Sequence, residues 1–382
     1  MSYHLFRPQV NVEPILEDLK EVLESGWLGL GPKTAEFESK FAEYVGARFA
    51  VALNSCTSAL HLALVELGIR ELDEVITTPI TFVSTNHAIL YQRAAPVFVD
   101  VDPDSLTIDI KEVEQELKQR TINAIMIVHY GGAPAKNIFE IHELARHYKV
   151  PVIEDAAHAC GATYKDGTKI GSCPYEQSLT CFSFHAVKNL GIGDGGMITT
   201  NDPEVYNHLK QLRWMGIDKD TFIRTGSAEN RGYNWLYDVS EVGFKYHMND
   251  IQAVFALNQL KTLDEENQKR FQITQWYRDW IKNPEVSFLD LDTKASSNHL
   301  CVIKVDEAIR NDFIEYLNRN DIFPGVHYFP NHLYSSYSHC TKSLPVAEKV
   351  WKEIVSLPIY LGLEKEDIKK ISGLINAYER NW

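Results

Sequence analysis

A lysine followed by a cluster of glycines is the stretch of this 382-residue chain whose residue types point most clearly to chemistry. Lys188 comes soon after an apolar, β-forming run, and four glycines follow it within residues 191–196. Glycine at this density permits positive φ and lets a ligand approach the backbone closely. We therefore predict a strand, a functional loop and a second strand, with a lysine that could reach a buried aldehyde. A solvated surface lysine beside an ordinary turn is the alternative.

An acidic residue ends another apolar run upstream of the lysine. The strand-like run Val152–Asp155 is followed by small residues and, three positions after the aspartate, by His158. Ligands of open α/β sheets bind at the carboxyl ends of strands. The position of Asp155 therefore predicts a side chain that meets a cofactor.

The elements that must position these residues follow from an alternation of short apolar runs and helical patterns, which begins at residue 49. Strands are predicted at Phe49–Leu53, Ala124–Val128 and Val152–Asp155, among others. This alternation predicts a mostly parallel sheet covered on both faces, as in a three-layer α/β/α domain. From about residue 256 the pattern changes to α+β. We therefore expect a large domain over residues 1–255, with an N-terminal helical arm, and a smaller α+β domain over residues 256–382.

The first loop of this series, Asn54–Ser58, lies directly before a helical pattern. Free N–H groups at a helix N-terminus bind phosphate well, and hydroxyl groups in the cap add donors. Ordinary Ser/Thr capping of the helix is the alternative that these residues leave open.

Composition excludes several classes of protein. A net charge of −14 argues against nucleic-acid binding, which requires a basic face. The six cysteines contain no CxxC pair and no zinc-site spacing, so we expect reduced thiols and no metal site. No apolar run approaches the roughly 20 residues that cross a bilayer, and the N-terminus does not resemble a signal peptide. We expect a cytoplasmic protein with no membrane partner.

Taken together, the motifs resemble those of the DegT/DnrJ/StrS family of pyridoxal-phosphate-dependent sugar aminotransferases. The resemblance rests on Asp155-Ala-Ala-His158, Ser183-Phe-His-Ala-Val-Lys188 and Gly193-Asp-Gly-Gly196, and it extends from Gly26-Trp27-Leu28 to Leu357-Pro358. It implies aminotransferase fold type I and pyridoxal 5′-phosphate as cofactor, with the pyridoxamine form during turnover. It also implies a homodimer with active sites at the subunit interface.

The resemblance assigns roles to individual residues. Lys188 would bind the cofactor as a Schiff base and move a proton, Asp155 would face the pyridine nitrogen, and His158 would hydrogen-bond the 3′-oxygen. The other cofactor contacts that the resemblance implies are Cys56, Thr57, Phe82, Ser183 and Lys245. Those near the substrate are Trp27, Leu28, His185 and His327.

Two of these positions depart from the usual residue of the family. Cys56 stands where glycine is usual, so its phosphate contact would use the backbone amide. Lys245 stands where many members have asparagine, and it would reach the cofactor phosphate of the neighbouring subunit. The charged and aromatic residues between 216 and 240 are expected to border the substrate pocket.

The function implied is transfer of an amino group from L-glutamate to a keto-deoxy sugar carried on a nucleotide diphosphate. The pathway would be amino-sugar biosynthesis for a surface polysaccharide, such as lipopolysaccharide O-antigen, or for a glycosylated natural product. Members that remove a sugar hydroxyl instead carry histidine in place of the lysine, so Lys188 favours the aminotransferase. A non-nucleotide ketone such as a cyclitol is an alternative acceptor. A non-catalytic regulatory protein that binds the cofactor is a further alternative.

Overall fold

The structure is a computed structural model that describes residues 2–173, 175, 177–217, 237–340 and 342–379. Most of the stretch expected to border the substrate pocket, including Arg224, Arg231, Tyr233 and Trp235, lies outside the described residues. Within the described ranges, no helix combines the length and the apolar composition that crossing a membrane requires.

A seven-stranded sheet forms the centre of the larger part of the chain. Its strands are β2 (Phe49–Leu53), β3 (Glu74–Thr77), β4 (Ala95–Phe98), β5 (Ala124–Val128), β6 (Val152–Asp155), β7 (Ser178–Ser183) and β8 (Gly196–Thr200). The spatial order is β2-β8-β7-β6-β5-β3-β4, and only β8 runs antiparallel to its neighbours. The predicted mostly parallel sheet is therefore confirmed.

Helices cover both faces of this sheet. They are α2 (Pro32–Val45), α3 (Cys56–Glu66), α4 (Val83–Tyr91), α5 (Ile110–Gln119), α6 (Ile138–Tyr148), α7 (Pro203–Leu212) and α8 (Asp250–Trp280), whereas α1 (Val12–Ser25) packs on α8. Successive side chains of a strand point to opposite faces. Accordingly, Ile125 and Ile127 pack in one apolar core with Phe41 of α2, whereas Met126 packs in the other with Leu60 of α3. The predicted α/β/α layering is confirmed.

A second, antiparallel sheet lies in the C-terminal part. Its strands are β9 (Val286–Phe288), β10 (Cys301–Val305) and β12 (Ile354–Leu357), with β10 in the centre. The helices there are α9 (Glu307–Arg319), α10 (Pro345–Val350) and α11 (Lys365–Asn376). The N-terminal β1 (Tyr3–His4) pairs in parallel with β11 (Ile322–Phe323), so the first residues pack with the last third of the chain.

Helix α8 joins the two parts. Its N-terminal half contributes Ala253 and Leu263 to the core of the large sheet, and its C-terminal half contributes Ile273 and Tyr277 to the C-terminal core. The boundary expected after residue 255 thus falls inside a continuous helix. The division into two domains stays a prediction.

Candidate active site

The carboxyl ends of β6 and β7 and the N-terminus of α3 open into a cavity of about 420 Å³. This is the location that ligand sites in open α/β sheets favour. The cavity wall brings together most of the residues expected at the site, namely Cys56, Thr57, Phe82, Asp155, His158, Ser183, His185, Lys188 and His327. Among the described residues, no group of three or more His, Cys, Asp or Glu side chains is arranged to hold a metal ion.

The loop that carries Lys188 is folded back on itself by backbone hydrogen bonds. Phe184 N–H donates to the Gly195 carbonyl over 2.8 Å, and Ala186 N–H donates to the Gly193 carbonyl over 2.7 Å. A Cβ atom at Gly191 would lie 2.5 Å from the Ala186 carbonyl oxygen, which is closer than any side chain allows. The glycine cluster therefore closes the loop tightly and fixes the position of the lysine backbone.

Burial lowers the pKa of Lys188 to about 8, and the nearby Asp155 and Cys56 act in the opposite direction. Desolvation disfavours the ammonium form of a lysine. Much more of this side chain is therefore an uncharged amine near neutral pH than in a surface lysine. An uncharged amine is the form that attacks a carbonyl and accepts a proton.

The rate at which cofactor-free protein takes up pyridoxal phosphate is expected to depend on pH through this amine. Because the pKa is lowered from 10.5 to about 8, the reactive fraction should rise about tenfold per pH unit below the pKa and level off above it. The measurement is the growth of visible absorbance after mixing, across a pH series. A rate that still rises steeply between about pH 9 and 10, as for an ordinary lysine, would contradict the prediction.

Asp155 is buried, and two hydrogen bonds fix its carboxylate. The Thr85 hydroxyl donates to Oδ2 over 2.8 Å, and the Ala157 N–H donates to Oδ1 over 3.0 Å. Burial raises the pKa of Asp155, while these hydrogen bonds and the charge of Lys188 oppose the increase. A buried carboxylate favours a cation beside it, and the protonated nitrogen of a pyridine ring is such a cation.

His158 lies in the same wall and has one nitrogen available. Its Nε2 lies 3.1 Å from the Tyr328 hydroxyl, whereas its buried Nδ1 has no hydrogen-bond partner among the described residues. Burial holds the pKa of His158 well below its ordinary value, so the ring is neutral. A buried polar atom without a partner costs free energy. A polar ligand atom, such as the 3′-oxygen of pyridoxal phosphate, would provide Nδ1 with a hydrogen-bond partner.

The N-terminus of α3 provides donors for a phosphate. The Ser55 side chain caps the helix by accepting from the Ser58 N–H over 3.0 Å, and the Cys56 and Thr57 amides belong to the first turn, which has no intrahelical acceptors. A Cβ atom at Gly196 would lie 2.4 Å from the Ser55 carbonyl oxygen, so this glycine lets β8 pass close to the loop.

Replacing Thr57 by alanine is expected to weaken binding of pyridoxal phosphate. Hydrogen bonds to charged groups contribute about 1.5–3 kcal/mol, so the dissociation constant should rise by roughly one to two orders of magnitude. The measurement is equilibrium binding of the cofactor to the apoprotein. Thr57→Ser retains the hydroxyl and serves as the matched control. Equal affinity of the alanine and serine variants would show that this hydroxyl does not contact the phosphate.

The other expected contacts with the cofactor fit the same arrangement. Phe82 exposes 58% of its surface at the cavity, so a ring face is available for stacking on an aromatic ligand. Ser183 accepts from the His185 N–H over 3.3 Å, which leaves its own hydroxyl hydrogen to donate. The donors, the aspartate, the unpaired histidine nitrogen and the exposed ring together match the chemical groups of pyridoxal phosphate.

Three expected residues lie outside the cavity of their own chain. Trp27 donates its ring N–H to the Leu30 carbonyl over 2.9 Å, and Leu28 is 44% exposed. Lys245 is exposed, with its ammonium group 3.3 Å from the centre of the Trp214 ring. Their contacts with substrate or with a neighbouring subunit stay predictions.

The structure also adds residues that sequence reasoning did not assign. Phe6, Thr85, His299 and Tyr328 line the cavity. Thr85 lies three residues after Phe82, and Tyr328 directly follows His327, so the sequence places both beside expected site residues but gives no sign of their contacts with Asp155 and His158. His299 carries only a weak signal, a lone histidine before a predicted strand. Phe6 carries none, because an aromatic residue near the N-terminus is ordinary.

Comparisons with known proteins agree with this geometry. A sequence model of the DegT/DnrJ/EryC1/StrS aminotransferase family matches residues 10–376. The UDP-4-amino-4-deoxy-L-arabinose–oxoglutarate aminotransferase of Shewanella sediminis is 37% identical over 393 residues, covering 99% of this chain and 98% of the relative. The spore coat polysaccharide biosynthesis protein SpsC of Bacillus subtilis is 38% identical over 376 residues, covering 95% and 94%.

A solved structure with the same architecture is that of Spr1654 from Streptococcus pneumoniae in its PMP-form. It is 28% identical to this chain, has a TM-score of 0.87, and covers 98% of this chain and 97% of its own. The same protein has been solved in its PLP-form, with a TM-score of 0.85. The similarity therefore includes proteins that have been crystallised with both forms of the cofactor.

Proposed function

Because the chain belongs to the pyridoxal-phosphate-dependent DegT/DnrJ/EryC1/StrS aminotransferase family, we propose that it transfers the amino group of L-glutamate to the keto group of a nucleotide-linked sugar. The observation that carries the proposal is the presence of Lys188 and Asp155 in one cavity with the N-terminus of α3, whose first amides could bind a phosphate. The relative from Shewanella sediminis, named for a UDP-linked amino sugar and oxoglutarate, supports this choice of substrates. SpsC supports a role in making a surface polysaccharide.

Pyridoxal phosphate, when bound, supplies an electron-withdrawing ring that stabilises negative charge on the substrate carbon. The Asp155 carboxylate stabilises a proton on the ring nitrogen and so maintains that withdrawal. Lys188, with its pKa lowered to about 8, can accept a proton as an amine and return it as an ammonium. Burial also keeps His158 and His327 neutral, so they do not compete with Lys188 for the proton.

The experiment that tests this function supplies purified enzyme with L-glutamate and a panel of keto-sugars linked to nucleotide diphosphates. Formation of 2-oxoglutarate together with a matching amino sugar, identified by mass spectrometry, is the expected result. A cyclitol ketone is included in the panel. Turnover of the cyclitol, with no amination of any nucleotide-linked sugar, would overturn the proposed acceptor class.

We also propose a homodimer in which Lys245 completes the phosphate site of the neighbouring subunit. The support is its exposed position outside the cavity of its own chain. Mixing Lys188→Ala subunits with Lys245→Ala subunits should restore activity at limiting cofactor, because one of the two sites in each mixed dimer is then intact. Activity no greater than the sum of the separate variants would contradict a shared site.

A further inference from the structure

His299 is a buried residue of the active-site wall to which neither the family motifs nor the chemistry above gives a role. It is 1% exposed and lines the same cavity as Lys188. Its ring stacks on Phe6 with the ring centres 5.3 Å apart and lies 4.5 Å from the ring centre of His158. Its ring orientation is therefore fixed by packing.

A chain of hydrogen bonds that begins at the backbone determines the orientation of Asn189, the residue after the lysine. Asn267 donates its amide Nδ2 to the Cys160 carbonyl over 3.0 Å, which makes its Oδ1 an acceptor. Asn189 Nδ2 donates to that Oδ1 over 2.7 Å and to the Ser297 carbonyl over 2.8 Å. Both neighbours of this nitrogen are acceptors, so the amide cannot be turned around.

The fixed amide determines the tautomer of His299. Asn189 Oδ1 lies 2.9 Å from His299 Nδ1, and a carbonyl oxygen can only accept. The proton of the imidazole is therefore on Nδ1. Burial, followed by the charge of Lys188, holds the pKa of His299 well below its ordinary value, so the second nitrogen, Nε2, keeps its lone pair.

We propose that His299 Nε2 accepts a hydrogen bond from a hydroxyl group of the sugar substrate, and that Asn189 is the positioning residue that holds the required tautomer. This inference rests on the proposed function. The two substrates differ in their hydrogen-bonding groups. The carboxylates of glutamate can only accept hydrogen bonds, whereas the hydroxyl groups of a sugar can donate them. A nitrogen that can only accept suits the sugar and is repelled by a carboxylate. His299 thus contributes to distinguishing the acceptor from the donor within one cavity.

The first test compares the two half-reactions of His299→Phe, which keeps an aromatic ring for stacking on Phe6. Loss of one net hydrogen bond lowers an equilibrium or rate constant by about 3- to 10-fold. We therefore expect kcat/KM for the keto-sugar to fall by this factor. The single-turnover rate with glutamate should change less than about twofold, a shift smaller than loss of one hydrogen bond. His87→Phe makes the same exchange outside the cavity and should alter neither half-reaction. Equal losses in both half-reactions of His299→Phe would overturn the proposal.

The second test reads the tautomer directly by 15N NMR of the histidine-labelled holoenzyme. The signals that disappear in His299→Phe belong to this residue, and they should show the Nδ1–H tautomer. Asn189→Ala should give a mixture of tautomers. An Nε2–H tautomer or an imidazolium in the wild type would overturn the assignment. A failure of the glutamate half-reaction in the wild type would instead refute the proposed function. The two failures can be told apart, because the NMR result does not depend on turnover.

Discussion

Replacing Lys188 by alanine is expected to lower kcat for transamination by at least about 10²–10⁴-fold, the contribution of a positioned proton-transfer group. Its amine, with a pKa of about 8, lies in the same cavity as Asp155, and backbone hydrogen bonds of the glycine-rich loop fix the position of the lysine backbone. The measurement is 2-oxoglutarate release under saturating donor and acceptor. The visible absorbance of the purified protein should change as well, because the family resemblance implies that Lys188 holds the cofactor covalently.

Lys188→Arg separates charge from proton transfer. A guanidinium keeps the positive charge but does not give up its proton near neutral pH, so this variant should be as inactive as the alanine variant. The alanine variant should melt at nearly the wild-type temperature, since burial disfavours the charge on this lysine. The arginine variant should melt at a lower temperature, because it places a permanent charge in the same buried site. Activity within tenfold of wild type in either variant would exclude Lys188 as the proton-transfer group.

Exchanging Asp155 for asparagine should reduce kcat on the order of 10²–10³-fold, a loss comparable to removing one preorganised electrostatic group. The change removes the negative charge that, in the proposed function, stabilises a proton on the ring nitrogen of the cofactor. It should also weaken cofactor binding. Steady-state kinetics and a cofactor titration measure the two effects.

The structure predicts that this asparagine variant still folds. Its Oδ1 can accept from the Ala157 N–H, and its Nδ2 can donate to the Thr85 hydroxyl, which in turn donates to Thr81 Oγ1 at 2.8 Å. Asp155→Ala instead leaves the Ala157 N–H without its acceptor, at about 1–3 kcal/mol of stability, while the Thr85 hydroxyl keeps Thr81 as a partner. A near-wild-type kcat for the folded asparagine variant would show that the carboxylate charge is not needed.

Much of the fold could be predicted from the sequence because its causes are local. Fully apolar runs such as Ala124–Val128 have the period and length of buried parallel strands, and the structure has a strand with those bounds. The spacing between Asp155 and His158 and the form of the lysine loop are likewise determined by residues that are close together in the sequence. Helix α8 shows the limit of this reasoning, since the change from βα alternation to an α+β pattern near residue 256 does not interrupt its continuous backbone.

The sequence by itself determined the layered α/β architecture, the helix N-terminus that could bind a phosphate, the acid at the end of a strand and the lysine in the glycine-rich loop. Only the tertiary structure decided which distant residues complete the cavity. Tyr328 reaches His158 across 170 positions, and His299 reaches Asn189 across 110. Hydrophobic periodicity says which side of an element is buried but not which side chain of another element it meets. Which side chains meet depends on how the C-terminal part packs against the large sheet. The same packing brings His299 to Asn189 and so fixes the tautomer proposed for His299.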